Sequence, residues 1–150
     1  MKLSISAATI GPIGYLPVCP GTFGSIPGIL VAWLISFIPP LPGVMVISIF
    51  FAIAVYTAEK AVAFFKRDDP GQVVIDEALG MTIALFAIKM DLLTTAVSFI
   101  LFRLMDILKP PPVRQIDNMM KGGLGIVMDD VFAGVMANLI LRIVVMAMGT

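Results

Sequence analysis

Six carboxylates, Asp76, Glu77, Asp106, Asp117, Asp129 and Asp130, stand among long apolar segments in a chain without histidine. Acids at the edge of a membrane segment are costly and usually mark a functional site. Two like charges about 4 Å apart repel by roughly 4 kcal/mol at an effective dielectric near 20. A cluster of them needs protons, separation or a cation. Zinc and copper sites draw on imidazole and thiolate. The chain offers no imidazole and one thiol, Cys19, which also rules out an internal disulfide. Oxygen donors alone suit a hard divalent ion, Mg²⁺ above all.

Four stretches could shape such a site. In Arg103-Leu-Met-Asp106-Ile-Leu-Lys109-Pro-Pro-Pro112, three polar residues recur every third position, making a stripe on one helix face that the prolines terminate. Two readings stand: a local salt-bridge ladder, or metal ligation by Asp106 with Arg103 and Lys109 reaching phosphate oxygens. Asp106 sits poorly at a helix C-terminus, where the macrodipole is negative, so something else must stabilise it. In Val73-Val-Ile-Asp76-Glu77-Ala-Leu-Gly80, Asp76 alone could be an N-cap, but two adjacent acids exceed what a cap requires. Gly80, one turn on from Glu77, admits close approach of a backbone or ligand.

In Lys121-Gly122-Gly123-Leu-Gly125-Ile-Val-Met-Asp129-Asp130, glycine N–H groups could cradle a phosphate, or form a flexible lead into an Asp cap. Only one of the two aspartates can be that cap. In Pro20-Gly-Thr22-Phe-Gly-Ser25-Ile-Pro27-Gly28, Thr22 or Ser25 could cap a helix with Pro27 in its first turn, or the loop could wall a phosphate pocket. Asp117 reads equally as a ligand or a solvated loop acid. Asp68 and Asp69, between Arg67 and Pro70, read as a solvated turn. Cys19 is expected to pack as a small hydrophobe, and Arg142 to snorkel to the membrane interface opposite Asp130.

Carboxylates, cations and glycine N–H groups together suit phosphoryl transfer, which needs positioning and charge neutralisation. Other phosphatase chemistries lack their residues. There is no histidine nucleophile, no arginine shortly after Cys19, and no pair of aspartates spaced by one residue.

The elements that must position these residues are helical and apolar. Hydrophobic residues make up 59% of the 150-residue chain and charged residues 13%, against about 45–50% and about 25% in soluble domains. Mean hydropathy is +1.05, as expected of a chain that lives in lipid. Ten basic and ten acidic groups cancel, and no basic stripe invites nucleic acid. Gly11, Pro12 and Gly14 interrupt the N-terminal region, which argues against a cleavable signal peptide.

Five apolar stretches follow: Gly28 to Ile38, Gly43 to Ala58, Ala78 to Ile88, Leu92 to Phe102 and Val131 to Met148. A span takes about 20 helical residues, and only the second and last approach that. The expected fold is therefore all-α: one integral-membrane domain over residues 1–150, a polytopic helix bundle with short helices free to re-enter rather than cross. Pro39 to Pro42 and Lys89 to Asp91 make tight turns, while Glu59 to Gln72 and Lys109 to Met128 are longer. With the long loops and N-terminus on one side, eight of ten basic residues lie there and only Lys89 and Arg142 do not. That side is then cytoplasmic and carries all six acids.

The four motifs, in this order, resemble the phosphatidylglycerophosphatase A family over nearly the whole chain. The resemblance implies a Mg²⁺-dependent, multi-pass enzyme of the bacterial inner membrane. It would hydrolyse phosphatidylglycerophosphate to phosphatidylglycerol and phosphate in phospholipid biosynthesis, with its active site facing the cytoplasm. It implies Asp76, Glu77, Asp106, Asp129 and Asp130 as metal ligands. Asp76, Asp106, Asp130 and Lys109 become the catalytic candidates, and Thr22, Ser25, Arg103, Lys109, Gly122 and Gly123 the phosphate-binding ones. The main rival is an ion or solute transport protein with a carboxylate cluster, which predicts acids spread across the bilayer depth. A purely structural subunit leaves the one-sided acids without purpose. A phosphatidyl transferase lacks its aspartates around an Ala-Arg pair.

Overall fold

A computed structural model describes residues 2–147, with the side chains of 116–118 excepted. Asp117 therefore lies outside the described side chains. The described residues form seven α-helices and no strand: α1 (Lys2–Ala8), α2 (Pro20–Ile35), α3 (Pro40–Phe65), α4 (Ile75–Leu85), α5 (Leu92–Leu108), α6 (Val113–Met119) and α7 (Gly122–Ala147).

At 1.5 Å per residue, the 26-residue α3 and α7 run about 39 Å, enough to cross a bilayer, whereas the 11-residue α4 reaches only about 16 Å. Only 22% of the most apolar window of α3 and 28% of that of α7 is buried within the protein. A soluble core helix would be mostly covered. Leu41, Met45, Ile49 and Ile53 instead form an exposed stripe at four-residue spacing along α3, a face suited to lipid. This is the architecture of a membrane helix bundle.

Small residues set the packing. Lipid tails are as apolar as leucine, so membrane helices associate through close backbone approach and interhelical hydrogen bonds. On α4, a Cβ at Gly80 would lie 2.7 Å from the Asp130 carbonyl oxygen of α7, and one at Gly134 would strike Gly80 itself. On the other side, Gly28 of α2 lies against the Ala78 carbonyl, and Thr82 Oγ1 donates to the Gly28 carbonyl at 3.1 Å. The short α4 is thus held between α2 and α7.

The far end of α4 is also secured. Its last carbonyls have no helical partner. Asn138 Nδ2 of α7 donates to the carbonyls of Ile83, Ala84 and Phe86 at 3.0–3.1 Å. Arg142 Nε donates to Asn138 Oδ1 at 2.8 Å, and its Nη2 to the Phe86 and Ala87 carbonyls. Arg142 thus sits at the end of α4 away from Asp76 and Glu77, with its guanidinium held by these carbonyls.

Two helix starts differ from the sequence reading. Helix α2 begins at Pro20, with Cys19 as N-cap, so Thr22, Ser25 and Pro27 lie within the helix. A proline at the first position forfeits only a donor that would be unpaired anyway. Cys19 does not pack as a core hydrophobe: it adopts φ 46° at the start of α2 and is exposed. Helix α7 begins at Gly122, so Gly123 and Gly125 are helical and neither Asp129 nor Asp130 is a cap. Close packing offsets the helical cost of glycine, since a Cβ at Gly123 would run into the Glu59 backbone of α3. Asp76 is not a cap either: Val74 holds that position in α4. At the opposite end of the bundle, Asp91 caps α5 in a capping box with Thr94. The Thr94 N–H holds the Asp91 carboxyl below the usual carboxylate range.

Candidate active site

Three helices deliver the acids. Asp76 and Glu77 occupy the first turn of α4, where the positive end of the macrodipole favours anions. Asp106 lies in the last turn of α5, and Asp129 and Asp130 face inward two turns into α7. All five line one cavity of about 540 Å³. The first turn of α2, Cys19 to Thr22, forms part of its wall, so a second helix N-terminus borders the acids.

The predicted polar stripe is half present. Arg103 Nη1 meets Asp106 Oδ2 at 2.7 Å, which answers the unfavourable dipole at that end of α5. Lys109 leaves the stripe. It is the C-cap of α5 with φ 45°, and its Nζ meets Asp129 Oδ2 at 2.5 Å, tying α5 to α7.

The residues fit a hard cation. Ligand oxygens of Asp76, Glu77 and Asp130 lie within 4.8 Å of one another, as do those of Asp106, Asp129 and Asp130. Asp76 is 8% exposed and Asp130 3%. Asp76 Oδ1, Glu77 Oε2 and Asp130 Oδ2 are buried without a hydrogen-bond partner among the described residues. Buried charged oxygens left this way are strongly penalised, and a cation with oxygen ligands is the group they suit.

Of the predicted phosphate residues, Thr22, Arg103, Lys109 and Gly122 line the cavity. Two are elsewhere. Ser25 is buried between helices, its hydroxyl donating to the Gly21 carbonyl at 2.9 Å. The Gly123 N–H donates to Glu59 Oε2 at 2.6 Å, so a side chain from α3 caps α7 where a phosphate nest was one of two expectations. Glu59 carried no signal in the sequence, since its partner is 64 residues away. Gly21 likewise stands out only in the folded structure. Its missing side chain leaves the room that Glu77 Oε1 occupies. Asp68 and Asp69, read as a plain solvated turn, are exposed but border the cavity mouth.

Comparison with known proteins gives the family. The family model described as phosphatidylglycerophosphatase A matches residues 6–145. The chain is 36% identical to phosphatidylglycerophosphatase A of Escherichia coli strain K12, over 83% of this chain and 73% of that one. It is 37% identical to phosphatidylglycerophosphatase A of Haemophilus influenzae, over 85% and 79% respectively. A Bacteroides thetaiotaomicron protein with the provisional name phosphatidylinositol-3-phosphatase is 31% identical over 87% of this chain and 86% of its own. No solved structure matches. With a family match over residues 6–145 and five carboxylates gathered beside Arg103 and Lys109, the chain belongs to the phosphatidylglycerophosphatase A family and is a phosphatase.

Proposed function

We propose that the protein hydrolyses phosphatidylglycerophosphate to phosphatidylglycerol and phosphate, with Mg²⁺, as a step of phospholipid biosynthesis. The observation that carries this reading is the convergence of Asp76, Glu77, Asp106, Asp129 and Asp130 on one cavity that also holds Arg103 and Lys109. The names of the relatives supply the substrate. A multi-pass placement in the bacterial inner membrane, with the site toward the cytoplasm, is favoured by the eight basic residues grouped on the side of the acids. A lipid anchored in that leaflet presents its phosphomonoester at the depth where α2, α4, α5 and α7 meet.

In the reaction a water oxygen attacks phosphorus and the bond from phosphorus to the glycerol oxygen breaks. One carboxylate among Asp76, Asp106 and Asp130 takes the water proton and passes it to the departing alkoxide, giving the alcohol and inorganic phosphate and restoring the carboxylate. Arg103 and Lys109 neutralise phosphate oxygens, and Thr22 with the α2 N-terminus orients them. When bound, Mg²⁺ polarises the phosphate and acidifies water. The five carboxylates are the residues that would hold it.

The test is phosphate release by purified protein from phosphatidylglycerophosphate in detergent micelles, with and without chelator. Phosphatidate, lysophosphatidate and phosphatidylinositol 3-phosphate serve as competitors. Release that requires Mg²⁺ and prefers phosphatidylglycerophosphate is expected. Chelator-insensitive release would remove the metal, and a preference for the inositol lipid would replace the substrate.

A further inference from the structure

We propose that the site takes two divalent cations, bridged by Asp130 and bound with unequal affinity. This deepens the metal-assisted phosphatase reading and rests on it. The donor oxygens fall into two triads, Asp76–Glu77–Asp130 and Asp106–Asp129–Asp130, with Asp130 common to both. Asp130 is 3% exposed, and its Oδ2 is buried without a hydrogen-bond partner among the described residues. A carboxylate with two oxygens, reached from both sides by other acids, is the natural bridge in a two-cation site.

Charge separates one cation from two. Seven carboxylates line the cavity, with Asp68 and Asp69 joining the five inner ones, against Arg103, Lys109 and Lys121, a formal excess of four negative charges. One divalent ion leaves the site at minus two. It would then repel a phosphomonoester carrying about −1.5 to −2. A second ion brings it to neutrality, which removes that repulsion.

The halves are not equivalent. Arg103 already engages Asp106, and Lys109 already engages Asp129. Asp76 and Glu77 instead sit at the N-terminus of α4. The first cation therefore enters at Asp76–Glu77–Asp130. The second enters at Asp106–Asp129–Asp130 in competition with the Lys109 ammonium, which it frees to meet the phosphate.

The test titrates the metal-stripped, detergent-solubilised full chain with Mn²⁺ alone and reads bound equivalents and the electron paramagnetic resonance spectrum. Two equivalents are expected, the first at least about tenfold tighter, with an isolated six-line spectrum after one and a spin-coupled spectrum after two. Metal pairs in such sites lie about 3.5–4 Å apart, close enough to couple. Asp130→Asn should abolish the coupling, and Asp129→Asn should leave one equivalent with the affinity of the first. Saturation at one equivalent, two that never couple, or a coupled spectrum in Asp130→Asn would overturn the proposal. The wild-type titration decides even where a variant fails to fold. A chain that binds a coupled pair yet releases no phosphate would sink the functional reading alone, and one fully active with a single equivalent would sink the pair alone.

Discussion

Gly21→Ala is a perturbation whose size follows from the coordinates. An ideal Cβ at Gly21 lies 2.9 Å from Glu77 Cδ and 3.4 Å from Arg103 Nη1, and overlaps Glu77 Oε1. Carbon atoms in contact settle at about 3.5–4.0 Å, so the Glu77 carboxylate must recede by roughly 1 Å. The obstacle is the free end of a flexible side chain, so the backbones of α2 and α4 can stay in place. A misplacement of about 1 Å at a reacting centre costs on the order of 10²-fold, or about 2.7 kcal/mol of transition-state stabilisation.

The assay follows phosphatidylglycerophosphate turnover against Mg²⁺ concentration, with thermal unfolding of the same micellar sample by circular dichroism. A fall in kcat/KM of about 100-fold, half-activation at higher Mg²⁺ and a nearly unchanged Tm are expected. Gly28→Ala is the contrast. Its Cβ would meet the Ala78 carbonyl and, at 2.9 Å, Met81 Cβ. Its first effect should be a lower Tm. Wild-type turnover and Mg²⁺ dependence in Gly21→Ala would refute the claim that Glu77 is a ligand positioned by the close pass of α2.

Asp76→Asn, Asp106→Asn and Asp130→Asn should each abolish phosphate release while leaving membrane insertion intact, and retained turnover in all three would end the carboxylate reading. Asn138→Leu removes the donor shared by the Ile83, Ala84 and Phe86 carbonyls; a stability loss of about 1–2 kcal/mol is expected in reversible detergent unfolding, and no loss would show that the end of α4 needs no cap. Asp91→Ala should lower Tm at neutral pH without changing turnover, since Asp91 is at the opposite end of the bundle from the acids. The Asp91 carboxyl is depressed on folding, so its contribution is present above the unfolded-state value and disappears as pH falls through the folded one. The Tm gap from wild type should therefore close in acid, and a gap independent of pH would refute the cap.

Much of the site could be read from the sequence because its parts are local patterns. The Arg103–Asp106 spacing, the Asp76–Glu77 pair and the Asp129–Asp130 pair each lie within a turn of helix, where side-chain geometry follows from residue number. The long α3 and α7 followed from apolar length in the same way. Non-local facts were not legible. Lys109 adopts a left-handed backbone and reaches across to α7, which helical periodicity cannot predict. Glu59 caps a helix 64 residues downstream. The glycines of α2 and α7 read as loop formers, because glycine is poor in an isolated helix. In a bundle where backbones nearly touch, the same residue is required inside the helix.

That exchange of helix propensity for close approach explains why the site can rest on a helix as short as α4. Eleven residues form a marginal helix on their own. Here its first turn is held against α2, where a Cβ at Gly24 would meet Val74 and one at Gly21 would meet Glu77, and its last carbonyls are held by Asn138 and Arg142. Between these ends Gly80 brings it against the Asp130 carbonyl and Gly134 of α7. The separation of Asp76 and Glu77 from Asp130 is therefore set by backbone contact rather than by long side chains, which a flexible loop could not maintain. The proposed reaction works by positioning and charge, so it needs that rigidity at the three carboxylates, and the backbone contacts of α4 supply it.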